Sequence, residues 1–126
     1  MNIIFDLFYA QPIGKSKFHG GGEYIKTVFR NLVLENKGKN KISVYYNKER
    51  FLDAWIYTLV KTYKIDVYDV KNMQDIEKIL LYEKFDVLYT GMPYKYAEID
   101  LPAATKKIGT FHGLRFAEKY SPSANK

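Results

Sequence analysis

Residues 18–33 read FHGGGEYIKTVFRNLV, three consecutive glycines running into an apolar pattern at helical spacing. Just ahead, residues 2–9 read NIIFDLFY, a run of apolar and aromatic side chains that suits a buried strand. A strand, a glycine loop and a helix start make a potential anion site, because the first amides of a helix point outward with the positive end of its dipole. Gly20, Gly21 and Gly22 can take backbone angles closed to other residues, so a diphosphate or carboxylate could come close to the main chain there. The same glycines would equally serve a loop that only turns tightly against a sheet. The loop alone does not separate the two readings.

Outward from this stretch, Ile25, Val28, Phe29, Leu32 and Val33 predict one apolar face of a helix from about Gly22 to Asn36, ended by Gly38. Lys41 to Tyr46 reads as a second strand. Glu49 to Tyr63 reads as a second helix whose Leu52, Trp55, Ile56 and Leu59 face the sheet, which assigns Trp55 to the core. Ile65 to Val70 makes a third strand, and Asn72 is the expected N-cap of a third helix carrying Asp75 in its first turn and Ile76, Ile79 and Leu80 on its apolar face. Phe85 to Thr90 is the fourth strand. A loop broken by Gly91 and Pro93 and carrying Tyr94 and Tyr96 follows, and Lys107 to Phe111 is the fifth strand.

Strands alternating with amphipathic helices predict an α/β, Rossmann-like parallel sheet with helices on both faces and the neighbour order 3-2-1-4-5. The ligand crevice of such a sheet lies beyond the carboxyl ends of its strands. Three segments should meet there: the glycine loop, the tyrosine loop with Tyr94, and the HGLR turn of residues 112–115, which ends in Arg115.

Composition narrows the partners. The 126 residues hold 20 basic and 14 acidic side chains, a net charge of +6, which favours anionic partners; phosphorylated sugars, nucleic acid and acidic membrane all qualify. The absence of cysteine excludes disulfides, thiolate catalysis and cysteine-ligated metals. A strand beginning at residue 2 without a basic leader, and no apolar run near the roughly 20 residues that span a bilayer, point to a cytoplasmic protein with at most peripheral contact at the inner face of a membrane.

Several chemistries fail on spacing. Gly14-Lys15-Ser16 looks like the end of a phosphate-binding P-loop, but that motif needs glycine where Tyr9 stands, and the dinucleotide fingerprint fails at Ile25. The two histidines, His19 and His112, are far apart and the carboxylates are scattered, so no metal is expected. Glu98-Ile99-Asp100 is the nearest approach to an Asp-x-Asp metal motif. Asp66, Asp69 and Asp86 fall at strands, where capping, solvation or a salt bridge is the expected fate. The basic turn of Lys37, Lys39 and Lys41 lacks interleaved aromatics and reads as a solvated loop, which argues against nucleic acid as a partner.

Two motifs carry a resemblance to the amino-terminal domain of GT-B-fold glycosyltransferases, in particular family 4, retaining enzymes that use activated sugars. The first is the opening strand followed by Gly20-Gly21-Gly22-Glu23 and a helix, similar to the family's GG-x-E start. The second is Lys107-Ile108-Gly109-Thr110-Phe111-His112-Gly113, similar to the family's strand ending in a histidine. The spacing of strands and helices between them matches as well, so the likeness covers nearly the whole chain.

The resemblance implies transfer of a sugar from a nucleotide sugar, the donor substrate, to a saccharide or lipid-linked acceptor, with no cofactor. It places Gly20, Gly21, Gly22 and Lys15 near the donor diphosphate and the acceptor, and gives His112 a role beside the reacting sugar. The other reading of His112 is a hydrogen bond that fixes its turn. Tyr94 and Arg115 join the expected substrate-binding set from their place at the crevice. The resemblance further implies that residues 1–120 form the acceptor-side domain, that 121–126 are a tail, and that the donor-binding domain lies outside this chain. A sheet without its last strand would leave an edge open to a second copy. The rival from another class is a non-catalytic α/β module that binds a nucleotide, phosphate or protein partner.

Overall fold

The protein is described here from a computed structural model, which describes residues 1–12, 20–96 and 106–109. Five strands, β1 (Asn2–Asp6), β2 (Lys41–Tyr46), β3 (Asp66–Asp69), β4 (Val87–Thr90) and β5 (Lys106–Gly109), form one sheet in the order β3-β2-β1-β4-β5. Every pairing is parallel. Three helices, α1 (Gly20–Asn36), α2 (Ala54–Thr62) and α3 (Met73–Tyr82), form the connections, and a short 3-10 turn spans Pro93–Tyr96. The expected fold class and neighbour order are both present.

Side chains alternate along each strand, so each face of the sheet gathers its own core. Ile3 and Phe5 of β1, with Ile42 and Val44 of β2, pack against Ile25, Phe29 and Val33 of α1 and Ile56 of α2. On the other face, Ile4, Tyr45 and Leu88 pack against Ile76 and Leu80 of α3. The helices therefore cover both faces, two on one side and one on the other. Phe5 joins its layer by stacking on Tyr89, ring centroids 4.8 Å apart, and by an edge contact with Phe29.

Element ends depart from the sequence expectation where side chains capture backbone groups. β1 stops at Asp6 rather than running to Tyr9, because the Asp6 carboxylate accepts the Tyr9 N–H at 3.0 Å. Backbone turns follow, from Ala10 N–H to Leu7 C=O and from Gln11 N–H to Phe8 C=O, both 3.2 Å. α2 starts at Ala54, not Glu49. Its expected first turn is instead a loop held by Asn47, whose carbonyl accepts the Arg50 N–H and whose side chain accepts the Glu49 N–H. The buried Gln11 side chain binds Asn47 at both its N–H and its C=O, so the loops after β1 and β2 are stitched together.

β4 begins at Val87, two residues late, because Asn2 and Asp86 exchange two hydrogen bonds of 2.7 and 2.8 Å, one of them through the Asp86 carboxylate. β3 is shorter than expected at both ends, and β5 opens one residue earlier, at Lys106. α1 begins two residues earlier than expected, at Gly20, so the glycines belong to its first turn rather than to a loop. Asn72 caps α3 as expected, accepting the Asp75 N–H, while Asp75 returns a bond to the Lys71 N–H.

Candidate functional site at the switch point of the sheet

The chain leaves β1 towards β2 on one side and later crosses to β4 on the other, so the two connections diverge between the carboxyl ends of β1 and β4. Such a divergence opens a crevice in a parallel sheet. Asp6 ends β1 and Thr90 ends β4 at this point.

The Asp6 carboxylate is completely buried and bridges the gap. Its Oδ2 accepts the Thr90 hydroxyl at 2.7 Å and the Tyr96 hydroxyl at 2.8 Å, and its Oδ1 accepts the Tyr9 N–H. The Tyr96 hydroxyl is also hydrogen-bonded to that of Tyr45, on β2. One carboxylate thus ties together the turn after β1, the end of β4, the 3-10 turn and, through Tyr96, strand β2. Burial pushes the Asp6 carboxyl above the ordinary aspartate range, and the donated hydrogen bonds from Thr90, Tyr9, Tyr96 and Phe8 pull it partly back. Burial, followed by the charge of Asp6, drives the Tyr45 and Tyr96 hydroxyls well above the usual tyrosine value, so both stay neutral.

Both oxygens of Asp6 already accept protein donors, so the group braces the crevice rather than offering a free base. Around it, Tyr9 packs edge-on against Tyr96 at 6.1 Å between ring centroids, and the Lys95 ammonium lies 5.6 Å from the centre of the Tyr9 ring. The first turn of α1 reaches the same end of the sheet. A Cβ on Gly22 would come within 2.9 Å of the Ala10 Cα and carbonyl oxygen, so only glycine lets the helix start sit directly on the chain leaving β1. The next residue, Glu23, is committed to an ion pair with Lys26 at 2.9 Å, and the buried Lys26 also reaches Asp53 at 3.2 Å. That ammonium locks the start of α1 to the start of α2.

Of the residues expected to act here, Gly20, Gly21 and Gly22 open α1, and Tyr94 lies on the 3-10 turn after β4. Each segment follows the carboxyl end of a strand, β1 for the glycines and β4 for Tyr94; the third expected segment, residues 112–115, lies outside the described residues. Lys15, His19, His112 and Arg115 lie outside the described residues. Asp66 pairs with Lys41, Asp69 accepts the Lys48 N–H and pairs with Lys71, and Asp86 binds Asn2; each has a structural partner. Trp55 is half-buried at the margin of the core, not within it. Its Nε1–H donates to Asp53, and the Arg30 guanidinium lies 5.8 Å from its ring centre.

Asp6, Thr90 and Tyr45 did not stand out in the sequence, and Tyr96 did so only as a member of the tyrosine loop. The one available signal was an acidic residue inside the apolar run of residues 2–9. Its partners Thr90 and Tyr96 lie 84 and 90 positions away, beyond any local pattern. Among the described residues, no three His, Asp or Glu side chains gather to hold a metal ion, and no helix is long and apolar enough to cross a membrane. No family model, curated protein or solved structure matches this chain.

Proposed function

We propose that this chain is the acceptor-side half of a retaining glycosyltransferase with two facing α/β domains, moving a sugar from a nucleotide sugar to a saccharide or lipid-linked acceptor. The observation that supports it most is the seating of the glycine-opened end of α1 on Ala10, beside the switch point of a parallel sheet. A helix amino terminus so seated would turn its positive dipole end towards the crevice, which in this reading takes a diphosphate or sugar hydroxyl. The likeness of residues 20–23 and 107–113 to the glycosyltransferase motifs supplies the rest.

In this reading, Gly20, Gly21 and Gly22 present the main chain to the substrate, and Lys15 and Arg115 add positive charge. Tyr94 offers its ring to the sugar. His112 hydrogen-bonds a sugar hydroxyl and orients it as the diphosphate leaves, without acting as a nucleophile. Asp6 keeps the tyrosine turn in register with the glycine turn. A donor held by a second, facing domain leaves the 126-residue chain able to bind acceptor weakly and unable to turn over nucleotide sugar.

Titrating the labelled chain with UDP-glucose, GDP-mannose and lactose, and following backbone amides by NMR, tests the reading. Sugar-dependent shifts should centre on Gly20–Glu23 and Gly91–Tyr96, with affinities of about 1 mM, and Gly21→Leu should weaken them about tenfold. A response equal to that of inorganic phosphate or free nucleotide would mark a phosphate-binding module and end the transferase reading.

A further inference from the structure

A cleft of 540 Å³ opens at the end of the sheet opposite the switch point, between the carboxyl ends of α1 and α2 and the amino ends of β2 and β3. Its volume falls within the range of about 300–1,000 Å³ usual for small-molecule sites. Val33, Ile42 and Ile65, all buried, form an apolar floor, and the half-exposed Leu34 and Tyr63 stand beside it.

The polar groups of the cleft divide sharply. Asn36 and Asn40 are bound to each other by three hydrogen bonds, and the Asn40 side chain also accepts the amino terminus. Lys41 and Asp66 form an ion pair of 3.2 Å. Lys37 and Lys64 remain, lining the cleft without a carboxylate within ion-pair reach among the described residues. Both adopt the left-handed backbone, with φ of 49° and 53°, at helix ends where glycine or asparagine is the unstrained choice. At α2 the Ile65 N–H closes on the Val60 carbonyl at 2.9 Å, a helix stop that ordinarily carries glycine where Lys64 stands.

Lysines at helix carboxyl ends offset the local dipole, and that is the competing account of both residues. It leaves unexplained why both flank one cavity with an apolar floor. We propose that this cleft binds a compact organic anion, a phosphate monoester on an apolar body, with Lys37 and Lys64 on the phosphate and the body against Ile42, Ile65 and Tyr63. A monoester is close to doubly charged at neutral pH, which suits two ammonium groups. Among the described residues the only carboxylate lining the cleft, Asp66, is already neutralised by Lys41. The site lies at the far end of the sheet from the crevice and does not depend on the transferase reading.

The test is an NMR titration of the full chain with 1-naphthyl phosphate, with 1-naphthol and inorganic phosphate as separate arms. Saturable shifts of amides between Val33 and Ile42 and between Tyr63 and Asp66 are expected, with each half-ligand about tenfold weaker or worse. A Lys37→Asn/Lys64→Asn double variant keeps residues that tolerate the left-handed backbone, so it should fold. It should lose about tenfold or more in affinity for the phosphate ester and nothing for naphthol. Unsaturable shifts, shifts at the switch point instead, equal binding by the double variant, or a response only to phosphatidylglycerol vesicles would each overturn the proposal. So would a double variant that melts lower when the native chain binds no naphthyl phosphate, because the lysines would then serve the helix ends alone.

Discussion

Asp6 carries the clearest residue-level consequence, because its carboxylate is buried and every partner around it is uncharged except through the backbone dipoles. Its carboxyl titrates above the ordinary value of 3.8 in the folded protein, so between 3.8 and that raised value the folded state holds more protons than the unfolded one. Its contribution to stability is therefore full below 3.8 and declines as pH rises through the window. Asp69 runs the other way: backbone and lysine contacts hold it below 3.8, so its contribution is lost on acidification. Comparing the native chain with Asp6→Asn cancels Asp69, which both share. Melting curves taken from neutral pH to below 3.8 should show the native chain gaining on the variant as the solution is acidified; a pH-independent difference would mean that Asp6 does not titrate as its burial dictates. Gly22 offers a steric counterpart. A methyl group there meets backbone atoms of Ala10 at 2.9 Å, and backbone cannot swing aside as a side-chain tip can. Gly22→Ala should cost about 1–3 kcal/mol in urea unfolding and move the amides of residues 8–12, whereas a cost near zero would show that the α1 start has room to shift.

At the scale of elements, Lys26 joins two helix starts through a buried ammonium held by Glu23 and Asp53, whose side chains are 41% and 25% exposed. Replacing Asp53 leaves the buried ammonium with the half-exposed Glu23 alone and also removes the acceptor of the Trp55 indole. Replacing Lys26 by Met leaves only carboxylates that water can reach. Asp53→Ala should therefore destabilise by about 1–2 kcal/mol, discounted from a fully buried pair for this exposure, and Lys26→Met by less. The reverse order in thermal melts would place the stability of this junction in the packing of the lysine stem. The same distinction explains what was legible in the sequence. Helix faces such as Ile25, Phe29 and Val33, and the Asn72 cap, follow from spacing within one turn or two, and the sheet order follows from right-handed crossovers. Element ends at Asp6 and Asn47 follow from side chains that bind backbone two or three residues on, the end at Asp86 from a carboxylate that binds the backbone of Asn2, and the Asp6 cluster joins residues more than 80 positions apart. Neither leaves a periodic trace.

For the whole molecule, the order β3-β2-β1-β4-β5 makes the amino-terminal strand the centre of the sheet, although it is formed from the first residues of the chain. β1 is hydrogen-bonded to β2 on one side and β4 on the other, and Ile3, Ile4 and Phe5 feed both cores. Breaking β1 away would open both layers at once, so its amides should exchange only when the whole domain unfolds. β3 pairs with β2 alone among the described residues, its Asp66 and Asp69 are exposed, and it gives the cores only the half-buried Val67 and Tyr68, so it can fray at far less cost than β1. Native-state hydrogen exchange should then rank Ile4 and Phe5 slowest, with an opening free energy equal to that of global unfolding, and the residues of β3 well below it. This gradient matters for the crevice because Asp6 is the last residue of the most protected strand, and the 3-10 turn hangs from it through Tyr96. Asp6→Ala would remove the carboxylate that the buried hydroxyls of Thr90 and Tyr96 share. It should speed exchange in Met92–Tyr96 while leaving Ile4 tied to global unfolding. Uniform acceleration of both segments would instead show that the turn and the central strand open as one unit, and that Asp6 supports the sheet rather than the crevice.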